Sequence, residues 1–269
     1  MDEIAKYNVE RWQALAEADA LFTRPRLDLT PESAREFLDA EGVFGEVAGK
    51  AVLCLGGGGG QQSAAFALLG AEVTVLDISE AQLERDRQAA AHYQKQVRTV
   101  QGDMRDLSSL APASFDLVYQ PFSIGYVPDA PLVFAQVAQV LRPGGIYFVA
   151  VDNPFFSGLT ATDWNGEGYV LKAPYQDQAL YISPDPEWVY ARSNKPLPAV
   201  REARLYRHTL ANTLNTLLGL GFALIHFSDS KHIHPDASAE PGSWDHFVAY
   251  APVYLGYWLR YQPNTDTDE

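Results

Sequence analysis

Residues 52–63 read VLCLGGGGGQQS, four apolar residues followed by five glycines and the start of a helix-like segment. A strand that runs into glycines and then a helix leaves bare backbone at the carboxyl edge of a parallel sheet, where nucleotide cofactors bind. Glycine suits this position because a side chain there would collide with a ligand or force a disfavoured φ. Glycine clusters also occur at ordinary tight turns, so the spacing of the glycines is needed to distinguish a nucleotide-binding turn from an ordinary one.

The spacing argues against two common nucleotide motifs. The dinucleotide motif G-x-G-x-x-G needs a third glycine or alanine, but the chain has Gln61 or Gln62 there, depending on the starting glycine. A phosphate-binding P-loop is also disfavoured, because no lysine follows the glycines. What remains is G-x-G-x-G at Gly56, Gly58 and Gly60, a shorter turn that need not hold a pyrophosphate.

Around this turn, short apolar runs alternate with helix-like segments. The apolar runs are residues 50–55, 71–78, 97–104, 115–122 and 145–151, and the helix-like segments are 61–70, 79–96 and 130–145. Such alternation predicts an α/β fold with a doubly wound, mostly parallel sheet. A late helix at 210–222 and two further strands, at 221–230 and 246–255, are predicted beyond this region.

Five motifs in this region carry a family resemblance. In chain order they are VLCLGGGGG, VTVLDIS, QGDMRDL, FDLVYQPFS and LRPGGIYFVA. In order and spacing they resemble the class I S-adenosylmethionine (SAM) dependent methyltransferases over about residues 47–151. The resemblance implies a Rossmann-like sheet of seven strands with the last one antiparallel, SAM as cofactor and S-adenosylhomocysteine (SAH) as its product.

The same resemblance implies a set of cofactor-binding residues. The glycines are expected to face the methionine part and ribose of SAM, Asp77 the ribose hydroxyls, and Asp103 with Met104 the adenine. Gln120 follows the fourth strand, where the family's backbone approaches the sulfonium. The full expected set is Gly56, Gly58, Gly60, Gln61, Asp77, Ile78, Asp103, Met104 and Gln120. The alternative for Asp77 is an N-cap of the next helix, and for Asp103 a surface turn.

One position departs from the family. Members usually have an acid two residues before the first glycine, which helps to hold the amino end of the cofactor, whereas this chain has Cys54. Gln61 or Gln62 is a candidate substitute. A weaker cofactor site, or a fold retained without catalysis, are the other interpretations.

Methyl transfer needs alignment above all, and a general base only when the acceptor must lose a proton. His208 and Tyr126 are the candidate catalytic residues, since both are expected near the carboxyl edge of the sheet. Asp152 and Asn153 follow the fifth strand and are candidates to orient a polar acceptor. The pair His232 and His234 lacks a clear third ligand, so no metal site is predicted.

Two segments flank the predicted core. Residues 1–46 are expected to form a helical cover, and an insertion at about 152–205, within the domain 47–269, a substrate lid. Eight aromatic side chains are expected either to wall the cofactor and acceptor or simply to fill a packing layer. They are Tyr7, Trp12, Phe22, Trp164, Tyr169, Tyr175, Tyr181 and Trp188.

The composition limits the classes of molecule that the protein is expected to bind. The net charge of −14 and the lack of a basic run argue against nucleic acid, and no apolar run approaches the length of a membrane span. A single cysteine and a start unlike a signal peptide favour the cytoplasm. We therefore expect a SAM-dependent methyltransferase with a small-molecule acceptor. A non-catalytic SAM-binding protein and a nicotinamide-dependent oxidoreductase are the alternatives.

Overall fold

The computed structural model describes residues 1–183, 185, 187–190, 200–229 and 235–263. Its strands are β1 (Ala51–Leu55), β2 (Glu72–Asp77), β3 (Arg98–Gln101), β4 (Phe115–Pro121), β5 (Leu141–Asp152), β6 (Leu180–Ser183), β7 (Ala203–Tyr206), β8 (Phe222–Ser228) and β9 (Tyr254–Tyr261). Seven of these form one sheet in the order β3-β2-β1-β4-β5-β9-β8, in which β9 runs antiparallel to both of its neighbours. The predicted sheet, with its antiparallel last strand, is confirmed.

Helices cover both faces of this sheet. The helices are α1 (Glu3–Glu17), α2 (Pro31–Asp39), α3 (Gln62–Leu68), α4 (Glu80–His92), α5 (Ala130–Val140), α6 (Leu210–Gly219) and α7 (Trp244–Tyr250). Helices α2–α4 pack on one face of the sheet and α5 and α6 on the other, whereas α1 packs on α4 and α7 packs against the insertion after β5. Side chains of β1 alternate between two apolar cores: Leu53 and Leu55 join the one that contains Phe134 of α5, and Cys54 joins the one that contains Leu83 of α4. Because both faces of the strand are buried, β1 reads as a continuous apolar run rather than an alternating one.

The starts of the helices follow from local chemistry. Asp2 caps α1 by accepting a hydrogen bond from the Ala5 amide, and Thr30 with Pro31 starts α2. Ser79 occupies the N-cap position of α4, but its side chain makes no capping hydrogen bond. Instead the Asp77 carboxylate accepts the Ser79 amide at 2.9 Å, so the acid at the end of β2 also supports the start of the next helix.

The strand predicted at 246–255 is wrong over most of its length. This apolar run begins as helix α7, and β9 starts only at Tyr254 and continues to Tyr261. The Ser243 side chain accepts the His246 amide, which caps the helix. Phe247, Val248 and Ala251 pack together, at a spacing that a helix places on one side.

The insertion after β5 has secondary structure of its own. Strands β6 and β7 pair as a small antiparallel sheet, with Tyr181 opposite Leu205. The insertion contacts α1 through the ion pair between Arg11 and Asp185, at 2.6 Å. No helix in the described part of the chain is long and apolar enough to cross a membrane.

Candidate active site

The glycine turn begins at the carboxyl end of β1. Gly56 and Gly58 have φ of +59° and +71°, a region that residues with a side chain rarely adopt. A Cβ on Gly56 would lie 2.7 Å from the Cβ of Ser123, which follows β4. The glycine at this position therefore allows the β1 turn and the chain after β4 to approach each other.

The last two glycines of the turn serve packing inside the protein. A Cβ on Gly60 would lie 2.6 Å from the carbonyl oxygen of Arg85 in α4, and one on Gly59 would lie 2.5 Å from the carbonyl oxygen of Thr23. The Gly60 amide donates to the buried Asp86 carboxylate at 2.9 Å. This half of the turn is fixed to α4 and to the N-terminal segment.

A cavity of about 530 Å³, open to solvent, lies above the first half of the turn. It is lined by Asn8, Trp12, Gly56, Gly58, Leu76, Asp77, Ile78, Gly102, Asp103, Met104, Ser123, Tyr126 and Val127. Six of the nine residues expected to bind the cofactor are in this set, so the ends of β1, β2 and β3 converge as the motifs predict.

Asp77 is the most buried acid of this first cavity, with 7% of its surface exposed. Burial raises its pKa to about 6, and hydrogen bonds from the backbone amides of Ser79, Gly58 and Ile78 oppose the rise. The carboxylate thus links β2 to the glycine turn and remains ionised at neutral pH. An ionised carboxylate in such a place is a strong acceptor for hydroxyl groups.

Asp103 is held by Arg105, two residues further along the chain. The guanidinium donates to Asp103 at 2.6 Å and to Asp2 at 2.8 Å. The Arg105 amide also donates to Asp103, at 2.9 Å. Arg105 therefore connects the end of β3 with the N-cap of α1, and these two carboxylates raise the pKa of the guanidinium.

Gly60, Gln61 and Gln120 belong to the expected cofactor set but do not line the cavity. The Gln61 side chain donates to the carbonyl oxygens of Phe22 and Arg24, so it holds the N-terminal segment. Gln120 is fully buried, where it accepts from the Tyr147 hydroxyl and donates to the sulfur of Met104. The position of Gln61 or Gln120 beside a motif does not predict the direction in which its side chain points.

Cys54 also lies outside the cavity. Its side chain is fully buried in the core that packs on α4, on the face of β1 away from Leu53 and Leu55. Burial raises the pKa of the thiol well above its ordinary value, so it stays protonated. Gln61 and Gln62, the candidate substitutes for the missing acid, are not among the residues that line the cavity.

Helix α1 contributes two lining residues, of which the sequence analysis had singled out only Trp12. The Asn8 side chain donates to the Tyr126 carbonyl oxygen at 3.0 Å, and the Trp12 ring meets the Tyr126 ring edge-on at 5.3 Å. No local signal predicts the role of Asn8, because it depends on where α1 packs. Ser123 could have been found, since it ends the motif FDLVYQPFS.

A second cavity, of about 350 Å³, lies across the single 3-10 turn Ile124–Tyr126. Tyr126 lines the first cavity, whereas Ile124 and Gly125 line the second. The lining of the second cavity is Phe122, Ile124, Gly125, Val151, Asp152, Ser157, Tyr181, Leu205, Tyr206, Arg207 and His208. Its walls are mostly apolar, with a few polar groups, as in sites for small organic molecules.

His208 has a defined tautomer in this second cavity. Its Nε2 lies 3.2 Å from the Ile124 carbonyl oxygen, which can only accept, so we assign the ring proton to Nε2. Nδ1 is buried and has no partner among the described residues. Burial lowers the pKa of the ring, which is therefore neutral at physiological pH with a free lone pair on Nδ1.

The other acceptor-site candidates differ in their placement. Tyr126 faces the first cavity, and burial raises its pKa to about 12, so the phenol stays protonated. Asp152 lines the second cavity, accepts from the Tyr181 hydroxyl at 2.9 Å and has a pKa raised by burial. Asn153 lines neither cavity, because its side chain donates to the Pro252 carbonyl oxygen. His232 lies outside the described residues, as does His234.

The predicted aromatic cover is only partly realised. Trp12 lines the first cavity and Tyr181 lines the second. Trp164 and Tyr169 instead pack against His246 of α7. Tyr175 stacks on Phe155, Phe22 lies against Trp12, and the Tyr7 hydroxyl donates to the Glu202 carbonyl oxygen. The side chain of Trp188 is outside the described part of the structure. No group of three or more potential metal ligands occurs within the described residues.

Comparison with known proteins agrees with this geometry. Residues 53–149 match a family model described as a methyltransferase domain. YbaJ of Bacillus subtilis, an uncharacterised methyltransferase, is 34% identical over 188 residues, which are 70% of this chain and 71% of that protein. A ubiquinone biosynthesis O-methyltransferase of Thiobacillus denitrificans is 32% identical over 158 residues, or 59% of this chain and 64% of the relative.

A solved structure of a methyltransferase is similar over most of this chain. The SAM-dependent methyltransferase of Mesorhizobium loti superposes with a TM-score of 0.60 at 26% identity, over 87% of this chain and all of that one. The matched sequence region contains the glycine turn, Asp77 and Asp103, and the first cavity collects them at one edge of the sheet. The protein is an enzyme that uses SAM, and it belongs to the class I SAM-dependent methyltransferase family.

Proposed function

We propose that this enzyme methylates a small-molecule acceptor bound in the second cavity, with the cofactor in the first. The observation that carries the proposal is the placement of the two cavities on either side of the turn Ile124–Tyr126, with His208 among the residues that line the second. A methyl donor and an acceptor need this kind of adjacency, because in-line alignment at short distance supplies much of the rate.

In the first cavity we assign the cofactor to residues that suit its parts. Gly56 and Gly58 leave backbone accessible for the methionine and ribose, and Asp77 is positioned to accept hydrogen bonds from ribose hydroxyls. Ile78 and Met104 offer apolar contacts for adenine. When bound, SAM supplies an electrophilic methyl group on its sulfonium and becomes SAH.

In the second cavity we assign His208 as the proton acceptor for a hydroxyl group of the acceptor. A neutral imidazole whose Nε2 proton is fixed by the Ile124 carbonyl presents only Nδ1 as a base. The similarity to an enzyme named as a ubiquinone biosynthesis O-methyltransferase supports oxygen as the methylated atom. Tyr126, the other catalytic candidate, is assigned a role in lining the first cavity, since its phenol stays protonated.

The two flanking segments fit roles as covers. We propose that residues 1–46 close over the cofactor, since Asn8 and Trp12 line the first cavity. The insertion at about 152–205 is proposed as the acceptor lid, because Ser157, Tyr181 and Leu205 line the second. A cytoplasmic location stays a prediction from the single cysteine.

A comparison of binding with turnover tests the proposal. Purified protein is incubated with SAM and a panel of hydroxylated aromatic acceptors, and the formation of SAH is measured. We expect His208→Gln to lose at least about a hundredfold of the turnover found with the best acceptor, because general base catalysis contributes at this scale. Its affinity for SAH should stay within about twofold of wild type, which is well under 1.4 kcal/mol.

The matched control is His226→Gln, since His226 lies on β8 outside both cavities. This control should keep wild-type turnover. Equal turnover in His208→Gln and the control would remove His208 from the mechanism. Loss of SAH binding in His208→Gln would point to a structural role instead.

A further inference from the structure

The second cavity contains a buried cation that lacks a counter-charge. Only 4% of Arg207 is exposed. Its guanidinium donates to two backbone carbonyl oxygens, those of Pro174 and Ser157, and its Nε is buried with no partner among the described residues. No carboxylate of the described residues lies within 4.0 Å of it, so within this part of the chain only the dipoles of the two carbonyl groups balance its charge.

The other buried arginine among the described residues is held differently. Arg11 is 1% exposed and pairs with the Asp185 carboxylate at 2.6 Å. Burying a guanidinium without an anion is costly, and such groups are usually paired. Arg207, in contrast to Arg11, has no counter-ion among the described residues.

Arg207 directly follows β7 and continues its pairing with the chain before β6, since the Arg207 amide donates to the Ala179 carbonyl oxygen at 2.9 Å. Tyr181 of β6 is opposite Leu205 of β7, and side chains two residues apart along an extended strand share a face. Arg207 therefore lies on the same face as Tyr181 and Leu205, and all three line the second cavity. The Ser157 carbonyl that accepts from Arg207 also belongs to a lining residue.

We infer that the second cavity binds an acceptor with a carboxylate group, and that Arg207 pairs with this carboxylate. A guanidinium has five N–H donors in a planar fork that matches a carboxylate, and three of those on Arg207 are unused by the described residues. The apolar walls formed by Phe122, Ile124 and Leu205 suit a ring or hydrocarbon body for the same molecule. This inference rests on the proposed function, in which the second cavity is the acceptor site.

The only acid that lines this cavity, among the described residues, does not act as the counter-ion of Arg207. Asp152 accepts a hydrogen bond from Tyr181 and makes no ion pair with Arg207. Arg207 is thus the group that selects the charge of the ligand, and His208, the neighbouring residue, is left to face the reacting hydroxyl.

Matched acid and amide pairs test the inference without knowledge of the natural acceptor. The protein is saturated with SAH and titrated calorimetrically with benzoate and benzamide, 4-hydroxybenzoate and 4-hydroxybenzamide, and 3-phenylpropanoate and its amide. Because hydrogen bonds to charged groups are the stronger ones, we expect at least one acid to bind about tenfold or more tightly than its amide. Phenyl phosphate is included, and tighter binding of it than of every acid would overturn the assignment to a carboxylate.

Variants locate the preference. Arg207→Gln should reduce the preference for the acid to within about threefold, whereas Arg204→Gln, on the same strand but the opposite face, should keep it. Arg207→Lys, which retains the charge without the fork, should keep part of it and serves if Arg207→Gln fails to fold.

The outcomes separate the two proposals. If the wild-type protein does not bind SAH, the proposed function fails. If it binds SAH but no acid of the panel is preferred over its amide, or the preference survives in Arg207→Gln, only the assignment of Arg207 fails.

Discussion

Replacing Asp86 by asparagine should make the protein more stable at pH 8 than the wild type. Asp86 lies on α4 behind the glycine turn and is fully buried. One carboxylate oxygen accepts hydrogen bonds from the Gly60 amide, at 2.9 Å, and from the Ser63 hydroxyl. The other oxygen is buried with no partner among the described residues, so the charge is poorly compensated.

The magnitude follows from the pKa of this carboxyl. Burial raises it from the ordinary 3.8 to about 7, and the nearby Asp77 adds to the rise. The folded chain therefore binds this proton more tightly than the unfolded chain. The contribution of Asp86 to stability is greatest below pH 4, and it is lost as the pH rises from about 4 to about 7, by roughly 4 kcal/mol in all.

Asparagine keeps the oxygen that accepts from Gly60 but cannot ionise. Because its amide nitrogen finds no partner in the place of the second oxygen, we expect Asp86→Asn to gain about 2–4 kcal/mol over the wild type at pH 8, and little or nothing at pH 4.5. Urea unfolding at the two pH values measures the difference. Asp28→Asn, at an exposed acid, is the control and should change stability by less than about 0.5 kcal/mol.

The result that refutes this reasoning is a difference between Asp86→Asn and wild type that is the same at both pH values, or that favours the variant more at pH 4.5. Either outcome would mean that Asp86 is paired with a cation or otherwise solvated in the folded protein.

Two further predictions concern Asp77 and the glycine turn. Asp77→Ala should weaken SAH binding by at least about tenfold, or 1.4 kcal/mol. The affinity of the wild-type protein for SAH should fall as the pH drops through about 6, where Asp77 takes up a proton. Calorimetry at pH 5 and pH 8 checks both expectations, and unchanged affinity counts against the assignment of Asp77 to the ribose. Gly60→Ala should destabilise the protein by about 2 kcal/mol or more, because the new Cβ would lie 2.6 Å from the Arg85 carbonyl oxygen. The control is Gly144→Ala, at a residue with a similar φ and open space around it, which should cost about 1 kcal/mol. Equal losses of stability in urea unfolding would contradict the packing role of Gly60.

The sequence predicts the parts of the fold that depend on local pattern. Strand β1 is apolar throughout because both of its faces are buried, and the turn after it needs glycines, so both can be read from residues 52–60. Asp77 and Asp103 each end a parallel strand, and neighbouring parallel strands end at the same edge of the sheet, so their meeting in one cavity is also predictable.

What the sequence does not predict depends on contacts between distant segments. Gly60 was expected at the cofactor and instead packs on α4, because a glycine needed for a ligand and one needed for a helix look alike in sequence. Asn8 reaches the first cavity only because α1 folds over it. Arg207 is one of several arginines in a mixed segment, and its place in the second cavity depends on the pairing of β6 with β7, which continues to the Arg207 amide.

The strand predicted at 246–255 is wrong for a different reason. Its apolar residues suit a buried strand or a short helix equally well, and periodicity alone does not separate the two. The Ser243 cap, just before the run, decides for the helix. A search for capping residues ahead of each apolar run would have corrected this prediction.

The central claim is that the first cavity binds an adenosyl sulfonium cofactor. Parallel calorimetric titrations of the purified protein with SAM, SAH and NAD test it most directly. We predict micromolar binding of SAM and SAH and no heat from NAD. Binding of NAD alone, or no binding of any of the three, would contradict the account.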